Sequence, residues 1–149
     1  MSGFTCSIDV DAPQERVFEV FTDFERAAEH MDGIERLEVL TETPVGVGTR
    51  FRETRIFYGR EATEEIEITT FDPPNRYVAE AHSHGAEFRS EFRFEALAAG
   101  GTRVEVTFGA MPVSFLARIL AFLSRLMLKG VQECTQQDLV DLKAVAERP

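Results

Sequence analysis

The sequence predicts an α+β domain in which a run of antiparallel strands precedes one long C-terminal helix. Residues 51–97 contain two hairpins with alternating side chains, and Pro73-Pro74 marks the turn between them, since proline cannot donate to a strand ladder. Beyond Pro112, about 30 residues repeat apolar side chains at helical spacing. With 149 residues and no linker or internal repeat, we expect a single domain over residues 1–149.

The first part of the chain predicts a strand, two short helices and a second strand. Phe4–Val10 alternates moderately, and Pro13 then occupies the start of a helix, where its missing N–H costs little. Asp23 is expected to cap the second helix, because its carboxylate can accept the free N–H groups of the first turn. The predicted bounds are Phe24–His30 for this helix and Ile34–Thr41 for the second strand.

The first hairpin places charged side chains on its apolar face. Its strands are Phe51–Tyr58 and Glu61–Ile68, with a turn at Gly59-Arg60. Side chains alternate along a strand, and any turn of even length produces the same two faces. The apolar members of the mixed face are Phe51, Phe57, Ala62, Ile66 and Ile68, and its charged members are Glu53, Arg55 and Glu64.

This mixed face is the strongest functional signal in the sequence. Carboxylates and a guanidinium are costly to dehydrate unless they are paired or wetted, so the face is predicted to line a cavity. We expect Glu53, Arg55 and Glu64 to act as one polar unit, with Arg55 opposite or near Glu64. The alternatives are a buried ion pair that only fixes strand register, or a sheet edge that curls into solvent.

The second hairpin has one charged face and one face of small and aromatic side chains. Its strands are Arg76–Ser83 and Ala86–Leu97, and a turn at residues 84–85 pairs Glu80 with Arg89 on the outside. His82 is expected opposite Glu87 on that same outer face. The inner face pairs Tyr77 with Phe92, Ala79 with Ser90 and Ala81 with Phe88, and a last strand, Thr102–Met111, adds Val104, Val106, Phe108 and Ala110.

Small inner residues leave room, and two hydroxyl groups share the space. Tyr77 and Ser90 are candidate donors to a ligand oxygen; the alternative is that both are ordinary core residues. His30 is expected near the mouth of the cavity.

The long helix predicts a cover over the sheet. Gly130 interrupts it and marks a kink, a close approach to a ligand, or a tolerated glycine. The segment Phe115–Leu128 is apolar nearly all round, with Arg118 and Arg125 on one face. That face suits contact with an anionic membrane surface or a partner subunit, and the favoured alternative is a solvated stripe. The stripe that faces the sheet comprises Leu116, Leu120, Leu123, Met127, Val131 and Cys134.

Composition excludes several function classes. The formal net charge of −10 argues against nucleic acid, which requires a basic patch. Cys6 and Cys134 lack the spacing of a disulfide framework or a CxxC metal site, and no histidine lies in a metal-binding pattern. We therefore expect no metal and no cofactor. The N-terminus lacks the pattern of a signal peptide, so a cytoplasmic location is expected.

The element order and several short motifs resemble the START/birch-pollen-allergen superfamily, in particular its bacterial polyketide cyclase/dehydrase and lipid-transport (SRPBCC) branch. The resemblance spans nearly the whole chain. It implies a helix-grip fold, in which a curved seven-stranded antiparallel sheet wraps around the long helix and leaves a cavity between them. One departure is His30-Met31, where many relatives carry an aromatic residue. The motifs are Ile8–Pro13 with Val17-Phe18, Thr22-Asp23, Gly46–Phe51, Phe71–Arg76 and Gly100–Val104.

Two functions follow as expectations. The first is a carrier or sensor that binds an apolar or amphipathic small molecule, as a monomer or homodimer. The second is a cyclase or dehydratase in which Glu53 or Glu64 is the base and Arg55 or Tyr77 polarises a carbonyl. The absence of a visible nucleophile–base pair favours binding. The predicted ligand-binding residues are Glu53, Arg55, Glu64, Phe51, Phe57, Ile66, Tyr77, Ala79, Phe88, Ser90, Phe92, Phe108, Leu120, Leu123 and Met127, and Val106 is expected in the same cavity.

Overall fold

A computed structural model describes residues 2–42, 44–83, 86–112 and 125–149. The elements are β1 (Ser2–Val10), α1 (Gln14–Phe21), a 3-10 turn (Phe24–Arg26), α2 (Ala27–His30), β2 (Ile34–Val39), β3 (Arg50–Phe57), β4 (Arg60–Asp72), β5 (Arg76–Ser83), β6 (Ala86–Ala96), β7 (Thr102–Pro112) and α3 (Arg125–Ala146). Within these ranges the seven strands form one antiparallel sheet in the order β1-β7-β6-β5-β4-β3-β2. The predicted helix-grip α+β fold is confirmed.

The short helices pack their apolar faces onto the sheet and differ from the prediction where they begin. Val17, Phe18 and Phe21 are buried on α1, which begins at Gln14, so Pro13 is its N-cap and not its first helical residue as predicted. The second helix is split into the 3-10 turn and α2, and the Asp23 side chain makes no capping hydrogen bond. The backbone of Asp23 has φ −81° and ψ 73°, outside the extended region typical of capping residues.

The core lies between the sheet, α1 and the C-terminal half of α3. Its most deeply buried side chains include Val17 from α1, Ile68 and Val104 from the sheet and Leu139 from α3. The helix α3 packs against β1 and α1, and near its start Gly130 approaches the β3–β4 hairpin. The helix therefore lies across the sheet, from the side of β3 and β4 to the side of β1.

The register of the second hairpin agrees with the prediction at every inferred pair. Glu80 is opposite Arg89, with Oε1 and Nε 4.0 Å apart, and His82 is opposite Glu87, with Nδ1 and Oε1 3.6 Å apart. The predicted turn at residues 84–85 lies outside the described residues. Tyr77 opposite Phe92 and Ala79 opposite Ser90 complete the inner face.

The first hairpin turns one residue earlier than predicted. Phe57 pairs with Arg60, so the turn is Tyr58-Gly59, and its φ values of 51° and 77° suit the left-handed geometry of a tight hairpin. Both turns have two residues, so the predicted sorting of faces is preserved. Within the mixed face Arg55 is opposite Ala62 and Glu53 is opposite Glu64, so Arg55 is near Glu64, two positions along the ladder, and not directly opposite it.

The described part of the long helix begins at Arg125. Predictions for Leu116, Leu120, Leu123 and most of the segment Phe115–Leu128 fall on residues 113–124, which lie outside the described residues. Met127 belongs to α3, but its side chain is likewise outside the description. In the described parts of the chain, no helix is both long enough and apolar enough to cross a membrane.

Candidate functional site

A pocket of about 380 Å³ separates the inner face of the sheet from α3. The strands β3 to β7 supply most of its wall, and α1, α2 and β2 close one side. The predicted residues that border it are Phe51, Glu53, Arg55, Phe57, Glu64, Ile66, Tyr77, Ala79, Phe88, Ser90, Phe92, Val106 and Phe108. Three further predicted lining positions, Leu120, Leu123 and the Met127 side chain, lie outside the described residues.

Sequence reasoning missed two groups of lining residues. The first comes from the short helices and β2, whose contact with the sheet face is not set by strand pairing. The second comes from α3 beyond the predicted stripe. The lining residues in these two groups are Phe21, Phe24, Ala27, Met31, Ile34, Leu37, Thr135, Asp138, Leu139 and Leu142. Glu80 of β5, predicted on the outer face, also borders the pocket.

Two stacked aromatic pairs form one wall of the pocket. The Tyr77 ring lies parallel to the Phe92 ring with centroids 4.5 Å apart, as their cross-strand pairing allows. Phe24 stacks on Phe51 with centroids 4.6 Å apart, which attaches the helical segment to β3. Such contacts contribute about 1 kcal/mol each beyond area burial, so the wall holds its shape.

Three charged residues of the pocket bind one another, and we call Glu53, Arg55 and Asp138 the pocket ion cluster. Arg55 Nε donates to Glu53 Oε1. Its two terminal nitrogens donate to Asp138, with Nη1–Oδ1 at 3.2 Å and Nη2–Oδ2 at 2.7 Å. The three side chains are between 14% and 22% exposed, so this is a largely buried arrangement with a two-point contact between guanidinium and carboxylate.

The second carboxylate on Arg55 is therefore Asp138 and not Glu64. Glu64 does border the pocket, but within the described parts of the chain its carboxylate makes neither an ion pair nor a hydrogen bond. The sequence did contain a signal for Asp138. The predicted stripe ends at Val131 and Cys134, and one further step of four residues along the helix reaches Asp138.

The electrostatics of the cluster follow from two carboxylates sharing one guanidinium. Burial disfavours the charged form of Arg55, but the charges of Glu53 and Asp138 outweigh burial and raise its pKa above the ordinary value. Burial raises the pKa of Asp138 to about 6, because Arg55 offsets burial only in part and Glu53 adds to the increase. A buried acid with a pKa near neutrality can hold or accept a proton.

Tyr77 keeps its proton in this environment. Burial, followed by the negative charges of Glu53 and Asp138, raises the pKa of its hydroxyl above the ordinary value. No hydrogen bond reaches this hydroxyl from the described residues. The Tyr77 hydroxyl can therefore donate a hydrogen bond to a ligand in the pocket that the pocket ion cluster also borders.

The loop between α2 and β2 covers the cluster. A Cβ atom at Gly33 would lie 2.9 Å from Arg55 Nη1, so only glycine fits without moving the guanidinium. The neighbouring Asp32 N–H donates to Asp141 Oδ2 at 3.0 Å, which ties the loop to α3. Sequence reasoning identified residues 32–33 only as the end of a helix.

Gly130 marks a close approach of α3 to the β3–β4 hairpin. A Cβ atom there would be 2.9 Å from both Phe57 Cζ and Tyr58 Oη. This packing role is not among the alternatives predicted from the sequence, which were a kink, a close approach to a ligand and a tolerated glycine.

Neither of the two described histidines is among the residues that line this pocket. His82 is largely exposed on the outer face, and His84 lies outside the described residues. His30 is not among the described lining residues, although its neighbour Met31 is. The described residues contain no group of His, Cys, Asp or Glu arranged to hold a metal ion.

Solved structures show where this fold recurs. TTHA0849 from Thermus thermophilus is 22% identical, with 97% of each chain covered and a TM-score of 0.81. The Zhui aromatase/cyclase from a Streptomyces species is 21% identical, with 99% of this chain and 94% of that chain covered and a TM-score of 0.81. Ara h 8.0201 is 16% identical, with 97% of each chain covered and a TM-score of 0.69.

These identities establish similarity of fold alone. A comparison with curated proteins finds no match. The sequence matches the family described as polyketide cyclase / dehydrase and lipid transport over residues 1–147, and the chain therefore belongs to that family.

Proposed function

We propose that this protein binds an apolar or amphipathic small molecule in the pocket between the sheet and α3, as a carrier or sensor. The observation that carries the proposal is the composition of the wall, in which aromatic and aliphatic side chains surround a small number of polar groups. Small-molecule sites have this character, because apolar area supplies affinity and a few polar groups fix orientation.

The size and polar groups of the pocket support the proposal. Its volume of about 380 Å³ falls within the range of small-molecule sites. The hydroxyls of Tyr77 and Ser90 and the carboxylate of Glu64 border it without hydrogen bonds among the described side chains. A ligand with one polar end satisfies such groups while its body contacts the rings of Phe88 and Phe92.

The absence of tryptophan from the sequence gives a direct binding assay. Phe88→Trp places a single indole in the pocket wall, and Val47→Trp places one at a loop position that is 71% exposed. The neutral dye N-phenyl-1-naphthylamine should bind at low micromolar concentration, measured as a rise in its own emission when it is excited directly. Titration with 1-decanol, which accepts no energy from an indole, should shift the emission maximum of Phe88→Trp and leave that of Val47→Trp unchanged. No rise in dye emission, or equal shifts in both variants, contradicts the proposal.

A polyketide cyclase or dehydratase activity is the second candidate, and one observation favours it. Asp138, whose pKa burial raises to about 6, borders the same pocket as Tyr77, and its negative charge helps to raise the pKa of the Tyr77 hydroxyl. In such an enzyme Asp138 removes a proton next to a substrate carbonyl while Tyr77 donates a hydrogen bond to the carbonyl oxygen. The test is turnover of an aryl β-diketone surrogate. Asp138→Asn should abolish product while retaining dye binding, whereas a carrier shows no turnover in either form.

A further inference from the structure

The pocket wall carries more negative than positive side chains. Of the described lining residues, Arg55 is the single cation, whereas Glu53, Glu64 and Asp138 each contribute a carboxylate. Glu80 also borders the pocket but pairs on the outer face with Arg89. The cluster and Glu64 together carry three potential negative charges against one positive charge.

The cation is already engaged. Three of the five N–H donors of Arg55 bind Glu53 and Asp138, and Gly33 packs against Nη1. A ligand anion would have to displace a buried carboxylate from a two-point contact in order to reach the guanidinium. Such charge-assisted pairs are among the strongest polar contacts, so displacement is unfavourable.

The Glu64 carboxylate, next to the pocket ion cluster, is available to accept a hydrogen bond from a ligand. Glu64 is directly opposite Glu53 in the β3–β4 register, and like charges in that position repel. Arg55 compensates Glu53, but nothing among the described residues compensates Glu64. A half-buried carboxylate with this surplus charge attracts hydrogen-bond donors and repels anions.

We infer that the pocket selects an apolar molecule whose polar end is a neutral hydrogen-bond donor, such as a phenol or alcohol, and excludes molecules that end in an anion, such as fatty-acid carboxylates. This inference rests on the proposed function, since it specifies what the same pocket binds. Glu64 is the residue that the donor contacts, and Arg55 is held away from the ligand by its own two carboxylates.

Three ligands with one aromatic body test the inference. They are 2-naphthol, a neutral donor; 2-methoxynaphthalene, neutral without a donor; and naphthalene-2-sulfonate, a permanent anion. Each is titrated at pH 7 against the otherwise unmodified protein carrying bound N-phenyl-1-naphthylamine, and displacement of the dye is measured. We expect 2-naphthol to bind most tightly, the methyl ether several-fold more weakly and the sulfonate at least about tenfold more weakly.

A pair of variants assigns the effect to Glu64. In Glu64→Gln the ratio of the affinities for 2-naphthol and naphthalene-2-sulfonate, which we call the affinity gap, should fall by about threefold or more, because a charge that repels the sulfonate is removed. Glu133→Gln removes an exposed carboxylate of α3 and should leave the affinity gap unchanged. Thermal melting of both variants verifies that they are folded.

The outcomes separate the two proposals. If the dye binds and the sulfonate displaces it as well as 2-naphthol does, the pocket does not select neutral donors over anions, and the binding function stands. An affinity gap that persists in Glu64→Gln also overturns the role of Glu64. If neither the dye nor any of the three ligands binds, the proposed function fails and this inference fails with it.

Discussion

Gly33 lies against the guanidinium of Arg55, so closely that a single methyl group on Gly33 would come within 2.9 Å of Nη1. Gly33→Ala should therefore shift Arg55 and weaken its two-point contact with Asp138. We expect the free energy of unfolding to fall by about 1–3 kcal/mol. Gly46→Ala is the matched control, because a Cβ atom there meets nothing within 4 Å. Urea denaturation of both variants is the measurement, and equal stabilities would show that the loop yields freely.

Removal of the shared guanidinium should be costly. Arg55→Met leaves the carboxylates of Glu53 and Asp138 without their cation in a site that is mostly shielded from water. We expect a loss of about 3 kcal/mol in the free energy of unfolding, and a smaller loss if water enters the pocket, in which case dye binding weakens instead.

Arg103→Met is the control for this variant. It breaks an exposed pair with Asp9, where the side chains are 50% and 56% exposed, and should reduce stability far less than Arg55→Met does. Adding Asp138→Asn to Arg55→Met should recover part of the lost stability. If Arg55→Met changes neither stability nor dye binding, the cluster has no energetic role.

Asp138 should give the protein a distinctive dependence on pH. Its pKa is 3.8 in the ordinary state and about 6 in the folded protein. Between these values the folded protein binds a proton that the unfolded chain has released, so the contribution of Asp138 to stability is greatest below pH 4 and is lost as pH rises to about 6. The size of this change is up to about 3 kcal/mol.

The comparison with Asp138→Asn isolates that contribution. Relative to the variant, the natural protein should lose stability from pH 4 to pH 7, as measured by urea denaturation at each pH. Glu133→Gln provides the control for a change of charge on α3. If the difference in free energy of unfolding between the natural protein and Asp138→Asn stays constant with pH, Asp138 does not have the raised pKa on which this prediction depends.

Gly130→Ala should not produce the gain that alanine usually brings to a helix. The substitution normally stabilises a helix interior by about 1 kcal/mol, but here the added methyl group meets Phe57 and Tyr58 at 2.9 Å. These two rings pack edge to face with centroids 4.7 Å apart, so neither moves independently. We expect a net loss of stability in Gly130→Ala and a smaller loss when Phe57→Leu is present, because the contact with Tyr58 remains. A double-mutant cycle without coupling would contradict this account.

Strand periodicity predicted the inner faces of both hairpins because it depends only on local alternation. The pairing of Tyr77 with Phe92 followed from charge complementarity on the opposite face. The first turn was placed one residue late because Tyr58 adopts a positive φ of 51°, which sequence reasoning assigns to glycine or asparagine. This shift moved Ala62 opposite Arg55 without changing any face.

Strand periodicity could not predict that Asp138 is the partner of Arg55. Asp138 is 83 positions away from Arg55, and their contact depends on how α3 is rotated above the sheet. The helical stripe predicts that rotation only when it is extended past Cys134. Gly33 could not be predicted at all, because its role arises from a loop that crosses a side chain from another strand.

The two-residue turn at Tyr58-Gly59 also sets a rule for how this hairpin can change in length. One residue inserted in β3 between Arg55 and the turn would carry Glu53 and Arg55 to the opposite face, unless a bulge absorbed it. Two inserted residues would return them to the same face. In an alignment of relatives, a single-residue gap in this hairpin therefore separates proteins whose pockets differ in charge, even where the aligned residues are identical.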